Sequence, residues 1–127
     1  MLVFDNNLPI YLQICDYIKD MIYKGQLKPG DLAPSIRKLA VEINVNPNTV
    51  ARSYMELERD GILITSRGLA STVTTDLVKI KKLKKDKIRS TIEALYEQLV
   101  KIGLSNDDIL KEVSEYLQEW GLKSHDS

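Results

Sequence analysis

The chain has 127 residues, with 18 basic against 18 acidic side chains, one cysteine and one histidine. That length suits one compact domain, or a small domain with an appendage. A single Cys15 forbids an intrachain disulfide or a cysteine-rich zinc site, and a lone His125 near the end leaves no material for a histidine triad or metal cluster, so no enzyme, metal or cofactor is expected.

The opening residues MLVFDNN lack a basic-then-apolar leader, and no apolar run approaches a membrane span; a cytoplasmic protein with no membrane partner is expected. Pro9 opens a first helix. Ile10, Ile14, Ile18 with Tyr17, and Met21 with Ile22 form its apolar stripe. Cys15 lies within that pattern and reads as a buried small hydrophobe rather than a reactive thiol. Gly25 ends the helix, and Leu27-Lys28-Pro29-Gly30-Asp31 is turn chemistry.

The stretch from Pro34 to Gly61 organises the chain. Ser35 suits the N-cap of a helix running to about Ile43, with Leu39, Ala40 and Ile43 toward a core. Ile43-Asn44-Val45 is a tight turn. Asn46 and Pro47 then read as N-cap and first helical position. Val50, Tyr54 (or Ser53) and Leu57 face the core, and Gly61 stops the helix. A short helix, a turn and a longer helix with polar residues at its start is the layout of a helix-turn-helix.

After Gly61, Ile62–Ser66 and Ser71–Thr75 predict two strands joined by Arg67-Gly68-Leu69-Ala70, a wing with Ile62, Ile64 and Val73 as its buried face. Asp76 to about Leu83 predicts the boundary between a domain of residues 1–75 and a helical domain of residues 76–127. Lys79, Lys81, Lys82, Lys84, Lys85, Lys87 and Arg89 form a basic tract. It reads as a solvated linker in preference to a segment lying along DNA.

Ile88, Ile92, Leu95, Leu99 and Ile102 follow the spacing of a coiled-coil-like seam. Gly103 ends that helix. Ser105 with Asp108 resembles a capping box. Ile109, Val113, Tyr116 (or Leu117) and Trp120 stripe a last helix that Gly121 is expected to end, leaving a frayed tail. The fold class is therefore mainly α with a small β-hairpin wing: an N-terminal winged helix-turn-helix, then a C-terminal two-helix hairpin. Such a hairpin has one apolar groove and little to bury it against. A second copy would cover it, with Ile88, Ile92, Leu95, Leu99, Ile102, Val113, Leu117 and Trp120 at the interface; the alternative is that it folds back on its own winged helix.

The candidate contacts to an anionic partner lie at helix starts, and Ser35 is counted among the DNA-binding residues beside its capping role. Arg37 stands near the exposed start of the second helix, where a guanidinium can grip a guanine edge or a phosphate bidentately. Asn46, Asn48 and Thr49 cluster at the start of the next helix, with Arg52 one turn on. Capping alone is an equal explanation of Asn46. Lys38 is a further phosphate candidate, and Arg59 is expected to pair on the surface with Glu56 or Asp60.

KPGDLAPSIRKLAVEINVNPNTVARSYMELERDGIL resembles the DNA-binding domain of the GntR family of bacterial transcription regulators, and the short tail resembles the YtrA subfamily. The resemblance covers about residues 8–75 through matched positions and residues 76–127 through length and helical character. It implies that Leu27 and Leu32 plug a three-helix core and that the arginine of Pro34-Ser35-x-Arg37 contacts the operator. It also makes Thr49 a DNA contact and places the wing tip, Arg67 and Gly68, in the minor groove. Here Ala70 replaces the wing's usual second glycine. Many members outside the YtrA-like group carry arginine where this chain has Ala51, so a phosphate role for Arg52 survives the shift better than a base-specific one.

The expected function is a homodimeric, sequence-specific regulator of transcription, a repressor on an inverted-repeat operator of double-stranded DNA. The alternative is a protein-interaction winged helix without sequence-specific DNA binding, which only the neutral net charge favours. A tail this short encloses no large pocket, since ligand sites run to roughly 300 Å³ or more. Any small-molecule effector is therefore expected at the dimer interface or between tail and winged helix.

Overall fold

The structure is a computed structural model that describes residues 2–66 and 70–125, with side chains described as far as Gly121. It holds five helices and a two-stranded antiparallel sheet among those residues, in two compact units, residues 1–84 and 85–127.

In the first unit, α1 (Ile10–Tyr23) turns Ile14, Cys15, Ile18 and Ile22 inward. Ile10 heads the expected stripe but is exposed, because the first turn projects beyond the core. Gln13 ties the lead-in segment to α1, its side-chain amide donating to the carbonyls of Asp5 (2.8 Å) and Leu8 (3.0 Å). Helix α2 (Ile36–Ile43) starts where Ser35 accepts the Lys38 N–H (3.2 Å) and ends on Asn44 at φ 53°. That left-handed conformation suits asparagine among non-glycine residues. Helix α3 (Pro47–Arg59) begins with Asn46 accepting the Asn48 N–H at 2.8 Å and proline at its first position.

Helix α3 is the hub of this unit, packing against α1, α2 and the first strand. Both residues left open in the sequence reading, Ser53 and Tyr54, are buried, with Val50 and Leu57 beside them. The Ser53 hydroxyl can donate to the Tyr11 carbonyl at 2.7 Å or the Thr49 carbonyl at 3.1 Å, which ties α3 to the start of α1. The Tyr54 phenol donates to the Pro34 carbonyl at 2.6 Å, tying α3 to the residue before the N-cap of α2. The Cys15 thiol is buried and contacts the Ser53 carbonyl at 3.4 Å. Burial pushes its pKa up, as expected for a packed, inert cysteine.

Helix α3 ends at Gly61, φ +74°. The Ile62 N–H reaches back to the Leu57 carbonyl at 2.9 Å and the Gly61 N–H to that of Glu58 at 2.9 Å, a Schellman closure. Ile62 thus belongs to the cap. The first strand, β1, begins one residue later (Leu63–Thr65) and pairs with β2 (Ser71–Val73) as Leu63 opposite Val73, Ile64 opposite Thr72 and Thr65 opposite Ser71. Alternation counted from Leu63 turns Leu63 and Val73 inward and leaves Ile64 48% exposed, so the expectation that Ile64 lies on the buried face is corrected.

The loop before α2 completes the wing's base. Ala33 N–H donates to the Ser71 carbonyl, and Gly30 N–H to that of Val73, both at 2.9 Å, along the free edge of β2. Leu32 pairs opposite Thr72 and so shares the outward face of Thr72 and Ile64. It is 66% exposed, and Ala33 plugs the core instead, beside Leu27. Parity of the strand register therefore overturns the inward placement of Leu32. Thr65 donates to the Glu58 carboxylate of α3 and lies 2.7 Å from the Ser71 hydroxyl, which pins the strands to the helix.

Helix α4 (Leu77–Lys101) starts straight after the wing. Asp76 accepts the N–H groups of Val78 (3.1 Å) and Lys79 (3.2 Å). Ile80 and Leu83 pack on the core of the first unit, so the segment expected as a boundary is the first two turns of this helix. The second unit holds the rest of α4 and helix α5 (Asn106–His125). Gly103, at φ +91°, closes α4, with the Leu104 N–H on the Leu99 carbonyl at 3.2 Å. The capping box forms: Ser105 and Asp108 exchange backbone-to-side-chain bonds at 3.2 Å each. Ile102 lies in the turn, not on the helical seam. Helix α5 runs through Gly121, which lacks a positive φ. A mid-helix glycine weakens a helix by about 1 kcal/mol without ending it.

Tyr54 gives a pH-resolved test of the α2–α3 tie. Burial, reinforced by Glu42, pushes its phenol up to about 12 from the ordinary 10. The folded state thus holds the proton more tightly than the unfolded state. This contribution to stability is complete below about pH 10 and is lost as pH rises through about 12. Tyr54→Phe should cost about 0.5–1.5 kcal/mol at neutral pH, and the deficit should shrink across that alkaline window. Melting temperatures of both proteins against pH check this; parallel curves would show that the phenol is not coupled to folding.

Candidate nucleic-acid interface

Two helix starts present the polar residues singled out above. On α2, Ser35 is spent on the Lys38 N–H, and Arg37, at the second helical position, is exposed, as is Lys38. Among the described residues Arg37 makes no ion pair, so its planar donor fork is open to solvent. Because Tyr54 holds the Pro34 carbonyl, the start of α2 is anchored to α3 and not to a mobile turn.

On α3, the Asn46 oxygen serves as the cap, one of the two roles its sequence position left open. Asn48 and Arg52 are exposed and Thr49 is half-buried. The fold brings Asn48, Thr49 and Arg52 together along one cleft of about 560 Å³, completed by Pro9, Ile10 and Tyr11 from the start of α1. Residues three and four apart on a helix are neighbours, which is why Arg52 lies on one side with both Thr49 and Asn48. The opposite flank, Val50, Ser53, Tyr54 and Leu57, is sunk in the core. The cleft offers donors and a cation with no carboxylate in its lining, chemistry suited to a phosphodiester or a base edge.

The Arg52 guanidinium lies over the Tyr11 ring, 3.8 Å from its centroid. Sequence reasoning missed Tyr11. Its position one residue after Ile10 marks it only as a flank of α1, and nothing local connects it to a residue so far along the chain. The wing-tip candidates Arg67 and Gly68 lie outside the described residues. Arg59 pairs with Glu56, as expected of a surface arginine.

The basic tract is helical, and the division between the two units falls within it. It lies within α4, which Asp76 caps and which Ile80 and Leu83 anchor; lysine is a good helix former, so nothing in the tract breaks the helix. Lys79 is used internally, donating from Nζ to the Asp60 carbonyl at 3.1 Å at the end of α3. A cation there complements the helix dipole.

In the second unit no residue of α4 is buried. Leu99 and Val113 are half-buried, while Ile88, Ile92, Leu95, Ile102, Leu117 and Trp120 are exposed. Ile92, Leu95, Tyr96, Ile109, Leu110 and Val113 line an apolar hollow of about 360 Å³, with the Tyr96 hydroxyl donating to Asn106 Oδ1 at 2.9 Å on its rim. No helix among the described residues is long and apolar enough to cross a membrane.

Residues 10–73 match the family described as bacterial regulatory proteins, gntR family. The uncharacterized HTH-type transcriptional regulator YhcF of Bacillus subtilis is 35% identical over 115 residues, 91% of this chain and 95% of that protein. The HTH-type transcriptional repressor YtrA of the same organism is 48% identical over 69 residues, 54% of this chain and 53% of its own length. A solved GntR family transcriptional regulator from Listeria monocytogenes superposes with a TM-score of 0.82 at 36% identity, covering 88% of this chain and 98% of that one. With its helix-turn-helix, its wing and its C-terminal helix pair, the chain belongs to the GntR family of bacterial transcriptional regulators, in the YtrA subfamily.

Proposed function

We propose that this regulator acts as a homodimeric repressor, binding an inverted-repeat operator through the start of α3, Arg37 of α2 and the wing. The carrying observation is the juxtaposition of Asn48, Thr49 and Arg52 in one carboxylate-free cleft on a helix whose other flank is buried. The repressor assignment draws on the similarity to YtrA of Bacillus subtilis, whose name carries that activity. In this reading the residues at the start of α3 meet base edges and backbone in the major groove, and the wing tip with Arg67 and Gly68 meets the adjacent minor groove. The exposed lysines of α4 add at most a sequence-independent, salt-sensitive term.

The helix pair supplies the dimer. Each large apolar side chain brought out of water contributes about 1.5–3 kcal/mol. The stripe that includes Ile88, Ile92, Leu95, Leu117 and Trp120 is exposed along both helices. A second copy covers that stripe and fills the hollow beside Tyr96, and an effector, where one exists, shares this apolar interface. Joining two winged helices makes the second half-site contact intramolecular, which raises affinity by about 10²–10⁴. Half-sites about one helical turn apart, ~34–36 Å, follow.

Arg37→Ala should cost about 1–3 kcal/mol of operator affinity with an unchanged melting temperature. Gel shifts beside thermal melts check it, and a matching loss of fold stability would make Arg37 structural instead. Leu95→Glu or Leu99→Glu in the full chain should leave the winged helix folded but monomeric in sedimentation, with weak binding to the palindrome. A variant that still sediments as a tight dimer would place the interface elsewhere.

A further inference from the structure

The contact between Tyr11 and Arg52 lies where the DNA reading puts its chemistry, and its geometry is specific. The guanidinium carbon lies over the aromatic face, 3.8 Å from the ring centroid, a distance that suits a guanidinium stacked on the ring. Stacking occupies the face of the guanidinium and leaves the in-plane N–H donors at its edge available. An arginine held this way can still grip two oxygens or a guanine edge, and it has already lost much of the rotamer freedom that binding would otherwise remove.

The backbone that carries the ring is itself anchored. Ser53, the residue after Arg52, is fully buried, and its hydroxyl reaches the Tyr11 carbonyl at 2.7 Å. Ile14, Cys15 and Ile18, on the turns that follow, are sunk in the core. Tyr11 is thus placed by α1 packing on α3, and its ring stands beside the cleft that Asn48 and Thr49 also line.

We infer that Tyr11 is a positioning residue that pre-orients the Arg52 guanidinium for DNA through its ring face. This rests on the DNA-binding reading of the cleft. Tyr11 acts through Arg52, and the two should therefore behave as one unit in a mutant cycle. The ring face is what matters, so the hydroxyl is dispensable.

The test is a double-mutant cycle in the full chain. The probe is a duplex enriched by the wild-type protein from a random library, with a random duplex as control. Tyr11→Leu should weaken binding to the enriched duplex by roughly two- to fivefold, the size of an exposed cation–π contact. Tyr11→Phe should bind like the wild type, and Tyr11→Leu should have no further effect once Arg52→Ala is present. Melting temperatures accompany each variant. In the unliganded wild type, the Arg52 Nε–H resonance should carry a ring-current shift that Tyr11→Phe keeps.

Several results overturn the inference while the DNA reading stands. Arg52→Ala could weaken binding while Tyr11→Leu does not. Tyr11→Leu could cost as much in the Arg52→Ala background as alone. Tyr11→Phe could lose as much as Tyr11→Leu, or the Arg52 resonance could be unshifted. Arg52→Ala binding as tightly as the wild type, with Asn48→Ala and Thr49→Ala also without effect, would instead remove the DNA role of the cleft and this inference with it.

Discussion

One helix has to be fixed and exposed at once. Helix α3 satisfies both demands by dividing its circumference: Val50, Ser53, Tyr54 and Leu57 are buried while Asn48 and Arg52 face solvent. Each polar group on the buried flank is matched, Ser53 to a carbonyl of α1 and Tyr54 to the carbonyl before α2. A buried hydroxyl without a partner would cost about 1–3 kcal/mol, so these bonds both satisfy the interior and set the angles at which α1 and α2 meet α3. The surface offered to a ligand inherits its rigidity from them.

The wing depends on the same helix. Two three-residue strands are too little to be stable alone in water. Here Glu58 holds Thr65 from one side, and the Gly30–Ala33 segment bonds to the outer edge of β2 from the other. The loop that leads into α2 therefore also closes the sheet edge, and the helix-turn-helix and wing form one unit. Lys79 extends the arrangement: its ammonium sits on the carbonyl of Asp60, the C-cap of α3, close beneath Gly61, where a Cβ would stand only 2.3 Å from Nζ. The start of α4 is fastened to the end of the helix that carries the cleft.

The second unit follows a different physical logic. It has well-formed ends, with a capping box on α5 and a glycine closure on α4. Yet none of its described residues is buried, and most of its large apolar side chains are exposed. Good caps stabilise helices by around a kcal/mol each, but they do not supply a core. This exposed apolar surface on a pair of helices is the face on which the proposed dimer rests.

The amino-acid sequence alone determined whatever is local. Ser35, Asn46, Asp108 and Gly61 specify helix ends through bonds spanning only a few residues, and the apolar periodicity specifies which flank of α3 is buried. These features make the helix-turn-helix and its family legible before any coordinates. Features that depend on register or on distant residues were decided only by the tertiary structure. Ile64 and Leu32 face outward because Ile62 is used by the α3 cap and the strand starts one residue later, and a shift of one reverses every side chain. The basic tract is helix because Ile80 and Leu83 find the core of the winged domain. Helix α5 passes Gly121 because a glycine ends a helix only where the backbone takes the left-handed turn. The stacking of Arg52 on Tyr11 joins residues that no local pattern relates, and it exists only because α1 and α3 pack together.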